Sequence, residues 1–286
     1  MSIKKKLAIN NISNKKFKDK IILITGASSG IGRQTAIEFA NKGAKSIILV
    51  ARSKSKLKEV EKELKTDFVS DIIAYQCDIS KKTEVIEMGI EILEKFDHID
   101  ILINNAGFGI YKKIQYQSIE EIEAITLTNY LGMVYCTKEF LDSMITKGSG
   151  HIVNVASVAA SFGIPGLAAY CASKYAMLGF SESLHHELKG TGVNVTVVSP
   201  IGVKTNFFSN ESFKGRFPNS TAFMLDPKTV SKSIINAVDS PRLEIIVPFY
   251  IRLGVWLKNT IPYAINPIVG SFFRRQLNKP KKKLQS

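Results

Sequence analysis

The sequence predicts an α/β protein in which one parallel sheet of seven strands is flanked by helices. Short apolar segments alternate with longer polar or amphipathic segments of helical periodicity. The chain of 286 residues is also 45% hydrophobic, which is enough to bury a large core. The predicted strands are 21–25, 46–50, 72–77, 99–103, 151–155, 193–199 and 244–247; the predicted helices include one ending near residue 42 and those at 54–65, 81–96, 119–146, 167–188 and 228–238.

A glycine-rich turn follows the first predicted strand and opens the first predicted helix. Glycines there permit positive φ and a close approach of the backbone to a phosphate, and a helix N-terminus offers free N–H groups to an anion. Glycines also serve ordinary turns, and the spacing Gly-x-x-x-Gly-x-Gly differs from the commoner Gly-x-Gly-x-x-Gly. The candidate nucleotide-binding residues of this turn are Gly26, Ser28, Ser29, Gly30, Ile31 and Gly32.

The second predicted strand is followed by Arg52 and Ser53. In a nucleotide-binding βαβ unit, this region meets the adenosine ribose. A carboxylate there accepts hydrogen bonds from a free 2′-hydroxyl group, whereas an arginine pairs with a 2′-phosphate. The alternative is a solvated arginine that begins a basic helix. We interpret the pair as favouring NADP(H) over NAD(H).

Tyr170 and Lys174 lie one helical turn apart, and Ser157 follows the strand predicted at 151–155. Side chains at i and i+4 share a helix face, so Lys174 can lie beneath the Tyr170 ring and lower the pKa of the phenol. Lowering that pKa from ~10 by ~3 units requires ~4 kcal/mol. A partly desolvated lysine, helped by a second positive charge such as an oxidised nicotinamide ring, could supply it. Tyr-x-x-x-Lys is otherwise an ordinary amphipathic pair.

These motifs together resemble the short-chain dehydrogenase/reductase family in order and spacing. The resemblance covers roughly residues 18–247 and implies a single Rossmann-type, doubly wound domain with hydride transfer to or from NAD(H) or NADP(H). The residues that carry it are Thr25-Gly26-x-x-x-Gly30-Ile31-Gly32, Asn104-Asn105-Ala106-Gly107, Ser157 and Tyr170-x-x-x-Lys174.

The resemblance also implies how further residues meet the cofactor. Asp78 and Ile79 would hold the adenine, although Asp78 could instead cap the next helix. The turn Asn105, Ala106 and Gly107 would lie beside the adenine ribose.

The nicotinamide half involves a second set of residues. Lys174 would hold the nicotinamide ribose, and Val203 and Thr205 would fix the carboxamide. Asn129 would support a water that links Lys174 to solvent, or would be a hydrogen-bonded core asparagine. The sequence departs from the family at Ile201, where glycine is usual, so the backbone here could follow a different turn.

The implied reaction is reduction of a carbonyl that Ser157 and Tyr170 hydrogen-bond, with Tyr170 donating the proton. The segment 206–226 is long for a structureless loop and is rich in aromatic residues. It predicts an apolar lid over a bulky hydrophobic carbonyl or alcohol substrate, or packing on the domain. The alternative function is an NADP-binding redox sensor without turnover. The lid residues are Phe207, Phe208, Phe213, Phe217, Phe223 and Met224.

The net charge of +14 lies entirely in the two ends of the chain. Residues 1–20 carry seven lysines and one aspartate, residues 249–286 carry eight basic side chains and no acidic one, and residues 21–248 are neutral overall. We therefore divide the chain into a basic arm, a catalytic and cofactor-binding domain, and an amphipathic, basic extension. The extension predicts peripheral binding to an anionic membrane, or a cover over the substrate cleft or a subunit interface.

Composition and motif content also bear on nucleic-acid binding, metal binding and localisation. The basic tails lack a recognisable nucleic-acid-binding module, which disfavours nucleic acid as a partner. The three cysteines and four histidines lack metal-site spacing, so no metal is expected. No apolar signal segment begins the sequence, so a cytoplasmic protein is expected, with the extension on a cytoplasmic membrane face. The resemblance implies a homodimer or homotetramer formed through the helices predicted at 119–146 and 167–188.

Overall fold

The computed structural model describes residues 16–68, 71–213 and 224–277. Most of the basic arm, the lysines at 279–283 and the lid residues Phe217 and Phe223 lie outside the described residues.

In the described residues, seven parallel strands form one sheet in the order β3-β2-β1-β4-β5-β6-β7, which confirms the predicted doubly wound α/β fold. The ends of the strands differ from the predicted ends by at most two residues. The strands are β1 (Ile21–Thr25), β2 (Ser46–Ala51), β3 (Asp71–Gln76), β4 (Ile101–Asn104), β5 (Gly150–Val155), β6 (Val193–Pro200) and β7 (Glu244–Val247).

Helices connect successive strands and cover both faces of the sheet. Each predicted helical region is helical in the described residues, the one at 119–146 with an interruption, and two helices follow β7. The helices are α1 (Gly30–Asn41), α2 (Lys54–Asp67), α3 (Lys82–Phe96), α4 (Ile119–Thr126), α5 (Gly132–Lys147), α6 (Ala168–Glu187), α7 (Pro227–Asp239), α8 (Ile251–Thr260) and α9 (Pro262–Leu277).

The core is divided by the sheet into two apolar layers. Successive strand side chains point to opposite faces. In β1, for example, Ile22 and Ile24 pack in the layer with α1, α2 and α7, while Ile21 and Leu23 pack in the layer with α3, α5 and α6. Because both faces are covered, the central strands are apolar throughout rather than alternating. This explains why they could be recognised in the sequence.

The helix predicted at 119–146 is not uniform. A π-helical segment, Leu127–Leu131, separates α4 from α5, and Asn129 lies in it. Such segments insert an extra residue into a helical turn and are frequent at functional sites. The apolar periodicity of the sequence did not predict it.

The sheet order reverses between β1 and β4, because β2 and β3 extend to one side and β5, β6 and β7 to the other. In open parallel sheets, ligands bind outside the carboxyl ends of the strands at such a switch point. In the part of the chain that the structure describes, no helix combines the length and apolarity needed to cross a bilayer.

Candidate active site

A cavity of about 780 Å³ lies at the carboxyl ends of the strands. It extends along this edge of the sheet from β3 to β6. Most of the sequence-predicted site residues line it, whereas Gly32 and Asn129 do not. Those that line it are Gly26, Ser28, Ser29, Gly30, Ile31, Arg52, Ser53, Asp78, Ile79, Asn105, Ala106, Gly107, Ser157, Tyr170, Lys174, Val203 and Thr205.

The glycine turn has the backbone that the sequence predicts. Gly26 and Gly30 have φ angles of 67° and 55°, which residues other than glycine rarely adopt. A Cβ atom on Gly32 would lie 2.6 Å from the Asn105 amide nitrogen, so Gly32 serves close packing behind the turn. A side chain at Gly26 would meet the Ala106 backbone at 2.8 Å. The turn therefore brings backbone, rather than side chains, to the cavity wall.

Hydrogen bonds join the glycine turn to the end of β4. The Thr25 hydroxyl oxygen accepts the backbone N–H groups of Asn105 at 3.0 Å and of Ala106 at 3.1 Å. The Asn105 side-chain amide donates back to the Thr25 carbonyl at 3.0 Å. Thr25 belongs to the glycine motif of the sequence, but the sequence did not reveal that it joins the ends of β1 and β4 at the switch point.

Two cationic side chains, Arg52 and Lys56, line the cavity beyond β2 and are exposed. Gln76 donates a hydrogen bond to the Arg52 carbonyl at 3.1 Å, which ties the end of β2 to β3. Among the described residues, no carboxylate forms an ion pair with Arg52. Lys56 was not predicted as a site residue, although it lies in the basic first turn of α2, which follows Arg52 in the sequence.

Asp78 does not cap a helix. Its carboxylate accepts hydrogen bonds from the Ser80 backbone N–H at 3.1 Å and from the Ser80 hydroxyl at 2.8 Å, which forms a local turn. The N-cap of α3 is Lys81. Ile79 is buried against Gly132, where a Cβ atom would lie 2.8 Å from the Ile79 side chain. Both residues line the β3 end of the cavity.

Ser157 and Tyr170 lie together at the end of β5. The Ser157 hydroxyl oxygen accepts the Ala159 backbone N–H at 3.1 Å, and the hydroxyl donates to the Pro200 carbonyl at 3.4 Å. Burial raises the pKa of Tyr170, and a hydrogen bond with Ser157 offsets only part of this effect. Tyr170 is thus a protonated phenol at neutral pH, hydrogen-bonded to a serine.

Lys174 lies below the Tyr170 ring, as its spacing predicts. Its Nζ atom is 5.8 Å from the ring centroid, and it donates to the Val155 carbonyl at 3.0 Å. Burial lowers the pKa of Lys174 to about 7. Burial raises the pKa of Tyr170 when the protein's own groups act alone. The predicted lowering, which also invoked an oxidised nicotinamide ring, stays a prediction.

Asn129 is fully buried and lies behind the cavity wall. Its side-chain carbonyl accepts the Phe108 backbone N–H at 2.9 Å, and its amide donates to the Phe108 carbonyl at 2.9 Å and to the Ser173 hydroxyl at 3.0 Å. A Cβ atom on Gly107 would lie 3.0 Å from the Asn129 oxygen and 3.5 Å from Lys174 Nζ. The asparagine is hydrogen-bonded as the core interpretation expects; its link to a water stays a prediction.

The backbone after β6 continues its pairing with β7 for one more residue. The Ile201 N–H donates to the Val247 carbonyl at 2.9 Å, so Ile201 continues the pairing with β7. The Thr205 hydroxyl oxygen accepts the Phe207 N–H at 3.3 Å, and that hydroxyl also donates to the Val203 carbonyl at 3.4 Å. Thr205 is thereby oriented by its own turn at the cavity wall.

The cavity wall beside Tyr170 is apolar. The Phe207 ring lies 5.3 Å from the Tyr170 ring, centroid to centroid, and Phe208 also lines the cavity. Phe213 does not; it is buried and stacks on Tyr111 at 5.8 Å. The predicted aromatic lid therefore divides between the cavity and the body of the domain. Further apolar lining residues are Ile164, Leu167, Met224 and, from α9, Phe273.

Comparison with known proteins agrees with this geometry. The family model for short chain dehydrogenases matches residues 20–214. Epidermal retinol dehydrogenase 2 of Mus musculus is 32% identical over 256 residues, covering 88% of this chain and 82% of the relative.

Two solved structures extend the comparison. A short-chain dehydrogenase/reductase from Burkholderia phymatum in complex with NAD has a TM-score of 0.78 and 26% identity, covering 88% of this chain and 97% of its own. A short-chain dehydrogenase from Sphingobium yanoikuyae in complex with NADPH has a TM-score of 0.75 and 26% identity, covering 93% and 98%. The chain belongs to the short-chain dehydrogenase/reductase family of oxidoreductases.

Proposed function

We propose that this protein is an NADPH-dependent oxidoreductase that interconverts a carbonyl and a secondary alcohol of a bulky hydrophobic substrate, with Tyr170 as general acid and base. The observation that carries the proposal is one cavity lined by both the glycine turn and the pair Ser157 and Tyr170. A bound nicotinamide dinucleotide would supply the hydride. The protein supplies orientation and the proton.

The residues present fit such a cofactor. The glycine turn and the start of α1 offer backbone N–H groups to a pyrophosphate. Asp78, Ile79 and Asn105 line the wall where the adenosine would lie, while Lys174, Val203 and Thr205 would hold the nicotinamide half. The neighbours of known structure include complexes with NAD and with NADPH. A nicotinamide dinucleotide is therefore the cofactor class that this cavity accommodates.

The preference for NADPH rests on charge at the end of β2. Arg52 and Lys56 both line the cavity, and two cations there suit a 2′-phosphate better than a free hydroxyl group. Such charge-assisted hydrogen bonds contribute ~1.5–3 kcal/mol each. NADPH should therefore bind more tightly than NADH.

Proton transfer follows from the states of the buried groups. Tyr170 has a raised pKa, so it holds its proton at neutral pH and can donate it to a carbonyl oxygen that Ser157 also hydrogen-bonds. Lys174, with a pKa of about 7, can hold or release a proton in the same range. Its Nζ lies 5.8 Å from the Tyr170 ring centroid and donates to the Val155 carbonyl rather than to the phenol, so a hydroxyl or water between the two side chains would carry the proton.

The substrate class follows from the apolar wall. Phe207 packs against Tyr170, Phe208 and Phe273 line the same cavity, and a relative of this chain is a retinol dehydrogenase by name. Burial of apolar substrate surface against these rings contributes ~25 cal/mol per Å². A bulky, apolar carbonyl gains more from this wall than a small polar one does.

The proposal is tested by NADPH and NADH oxidation with a panel of carbonyls of increasing chain length. We expect turnover that prefers NADPH, with kcat/KM rising with apolar size. Equal rates with small polar ketones would contradict the substrate class. If the protein binds NADPH tightly but oxidises it with no carbonyl in the panel, a redox sensor is the better interpretation.

A further inference from the structure

The two C-terminal helices carry exposed apolar side chains on their outer side. In α8, Leu253 and Trp256 are 63% and 59% exposed, and Tyr263 at the start of α9 is 95% exposed. Isolated exposed apolar residues need no explanation, but many in one stretch indicate a contact surface. We call this set the C-terminal apolar surface: Phe249, Tyr250, Leu253, Trp256, Ile261, Tyr263, Ile268 and Phe272.

The spacing of these residues follows helix faces. Phe249, just before α8, is followed by exposed apolar residues at i+4 and i+7, Leu253 and Trp256. In α9, the exposed residues Ile268 and Phe272 are four positions apart, and exposed Ile261 lies just before that helix. Positions at these intervals lie on one side of a helix. Each helix therefore has an apolar stripe that the rest of the described chain leaves open.

The charges of this region have one sign. The segment 249–286 contains eight basic side chains and no acidic one. Arg252, Arg274 and Arg275 are exposed beside the apolar stripes. Glu244, outside the segment, is near Arg252, but the segment itself adds only cations to its aromatic and aliphatic side chains. This combination matches the interface of an anionic lipid bilayer, where rings lie at headgroup level and cations meet lipid phosphates.

The inner side of α9 belongs to the substrate cavity. Phe273 lines that cavity, and Leu277 packs in the apolar cluster that contains Tyr170 and Tyr111. The Leu277 side chain also closes on Gly166, where a Cβ atom would lie 2.9 Å from it. A single helix thus presents Phe272 outward and the neighbouring Phe273 toward the substrate.

We propose that the C-terminal apolar surface binds an anionic lipid membrane, and that α9 thereby sets one wall of the substrate cavity against the lipid. The second clause rests on the proposed function. An apolar substrate dissolved in the bilayer would reach Tyr170 past Phe273 without crossing bulk water. The membrane would then be the source of the substrate as well as the place where the protein binds.

A second copy of this chain fits the surface less well. A symmetric dimer would bring the same patch of each copy together, and with it cations that no acidic residue of the segment 249–286 could neutralise. Anionic lipid supplies the missing negative charge, at about 1 kcal/mol per basic side chain near the surface.

Sedimentation with vesicles tests the membrane contact. The full chain should bind vesicles of phosphatidylcholine containing phosphatidylglycerol, and bind pure phosphatidylcholine less. The double substitution Leu253→Glu and Trp256→Glu should lower the partition coefficient about tenfold or more, because it replaces buried apolar area with repelled charge. The matched control is Ile114→Glu with Tyr116→Glu, at residues 56% and 65% exposed that do not line the cavity.

The outcomes separate the alternatives. Retained vesicle binding in the control and loss in the Leu253 and Trp256 variant support the proposal. Absent binding by the unmodified chain, or equal loss in both variants, overturns it. A change from dimer to monomer in the Leu253 and Trp256 variant, with no vesicle binding by the unmodified chain, would identify the surface as a subunit interface and also overturn it.

Substrate delivery from the membrane is tested by measuring enzyme activity. The Leu253 and Trp256 variant should keep its kcat/KM for a short soluble carbonyl and lose about tenfold or more for a long-chain carbonyl presented in anionic vesicles. Equal losses on both substrates would overturn the delivery clause. If no carbonyl is reduced by the unmodified chain, the proposed function fails, while the sedimentation result still decides the membrane contact.

Discussion

The two halves of the cavity are built in different ways. At the ends of β1 and β4, the wall is largely backbone: the Gly26 turn has positive φ, and Thr25 holds the segment after β4 through two backbone amides. Toward β5 and β6, the wall consists of side chains from distant segments, with Tyr170, Phe207 and Phe273 brought together by packing. The first half would hold the adenosine and pyrophosphate of a cofactor, while the second half carries Ser157 and Tyr170 beside the apolar wall.

The largest expected effect is on the proton donor. Tyr170→Phe removes the hydroxyl but keeps the buried ring beside Phe207, so carbonyl-dependent NADPH oxidation should fall by ~10³-fold. NADPH binding, measured by fluorescence titration, should change little. The control is Tyr175→Phe, one residue beyond Lys174 on α6, which is exposed and does not line the cavity. Activity of the Tyr170 variant within a few-fold of normal would refute the assigned role.

Next in size is the selectivity between cofactors. Arg52→Glu places a carboxylate where a 2′-phosphate would lie and removes a charge-assisted hydrogen bond worth ~1.5–3 kcal/mol. The ratio of kcat/KM for NADPH over NADH should fall by ~10–100-fold. Lys54→Glu makes the same charge change at an exposed residue that does not line the cavity. An equal fall in both variants would show that net charge, rather than a site at Arg52, sets the preference.

A smaller effect is expected on protein stability, from a substitution in the glycine turn. Gly32→Ala forces a methyl group to within 2.6 Å of the Asn105 amide and also against the Gly26 carbonyl. Such overpacking costs ~1–3 kcal/mol of the free energy of unfolding. Gly179→Ala is the control, because a Cβ atom there meets nothing within 4 Å and lies in a helix; it should stabilise by ~0.5–1 kcal/mol. Chemical denaturation of both variants measures the difference, and equal stability would exclude tight packing at Gly32.

The same contrast explains what the sequence could predict. Strands such as β1 and β7 were placed at their observed ends because both faces of the sheet are covered, which leaves a continuous apolar run between turns. Gly26, Tyr170 and Lys174 could also be proposed as site residues from the sequence, because their arrangement depends on spacing within a short segment. Their positions follow from one strand, turn or helix.

Features that depend on distant packing were not predictable. The π-helical segment around Asn129 arises from one extra residue in a turn, which periodicity does not report. The pKa of Lys174 falls because neighbouring elements bury it, which its spacing from Tyr170 does not report. Phe273 reaches the cavity only because α9 folds back on the domain. Burial and long-range contacts set all three.

The smallest expected effect concerns that last contact. Phe273→Ala removes part of the apolar wall without touching the reacting groups, so KM for a bulky apolar carbonyl should rise about fivefold while kcat stays near normal. For a short carbonyl that does not reach α9, both constants should stay unchanged. Phe272→Ala, at the exposed neighbour, separates a wall effect from general loosening of the helix. If Phe272→Ala raises KM for the bulky carbonyl as much as Phe273→Ala does, α9 influences the cavity through its stability and not through a ring that contacts the substrate.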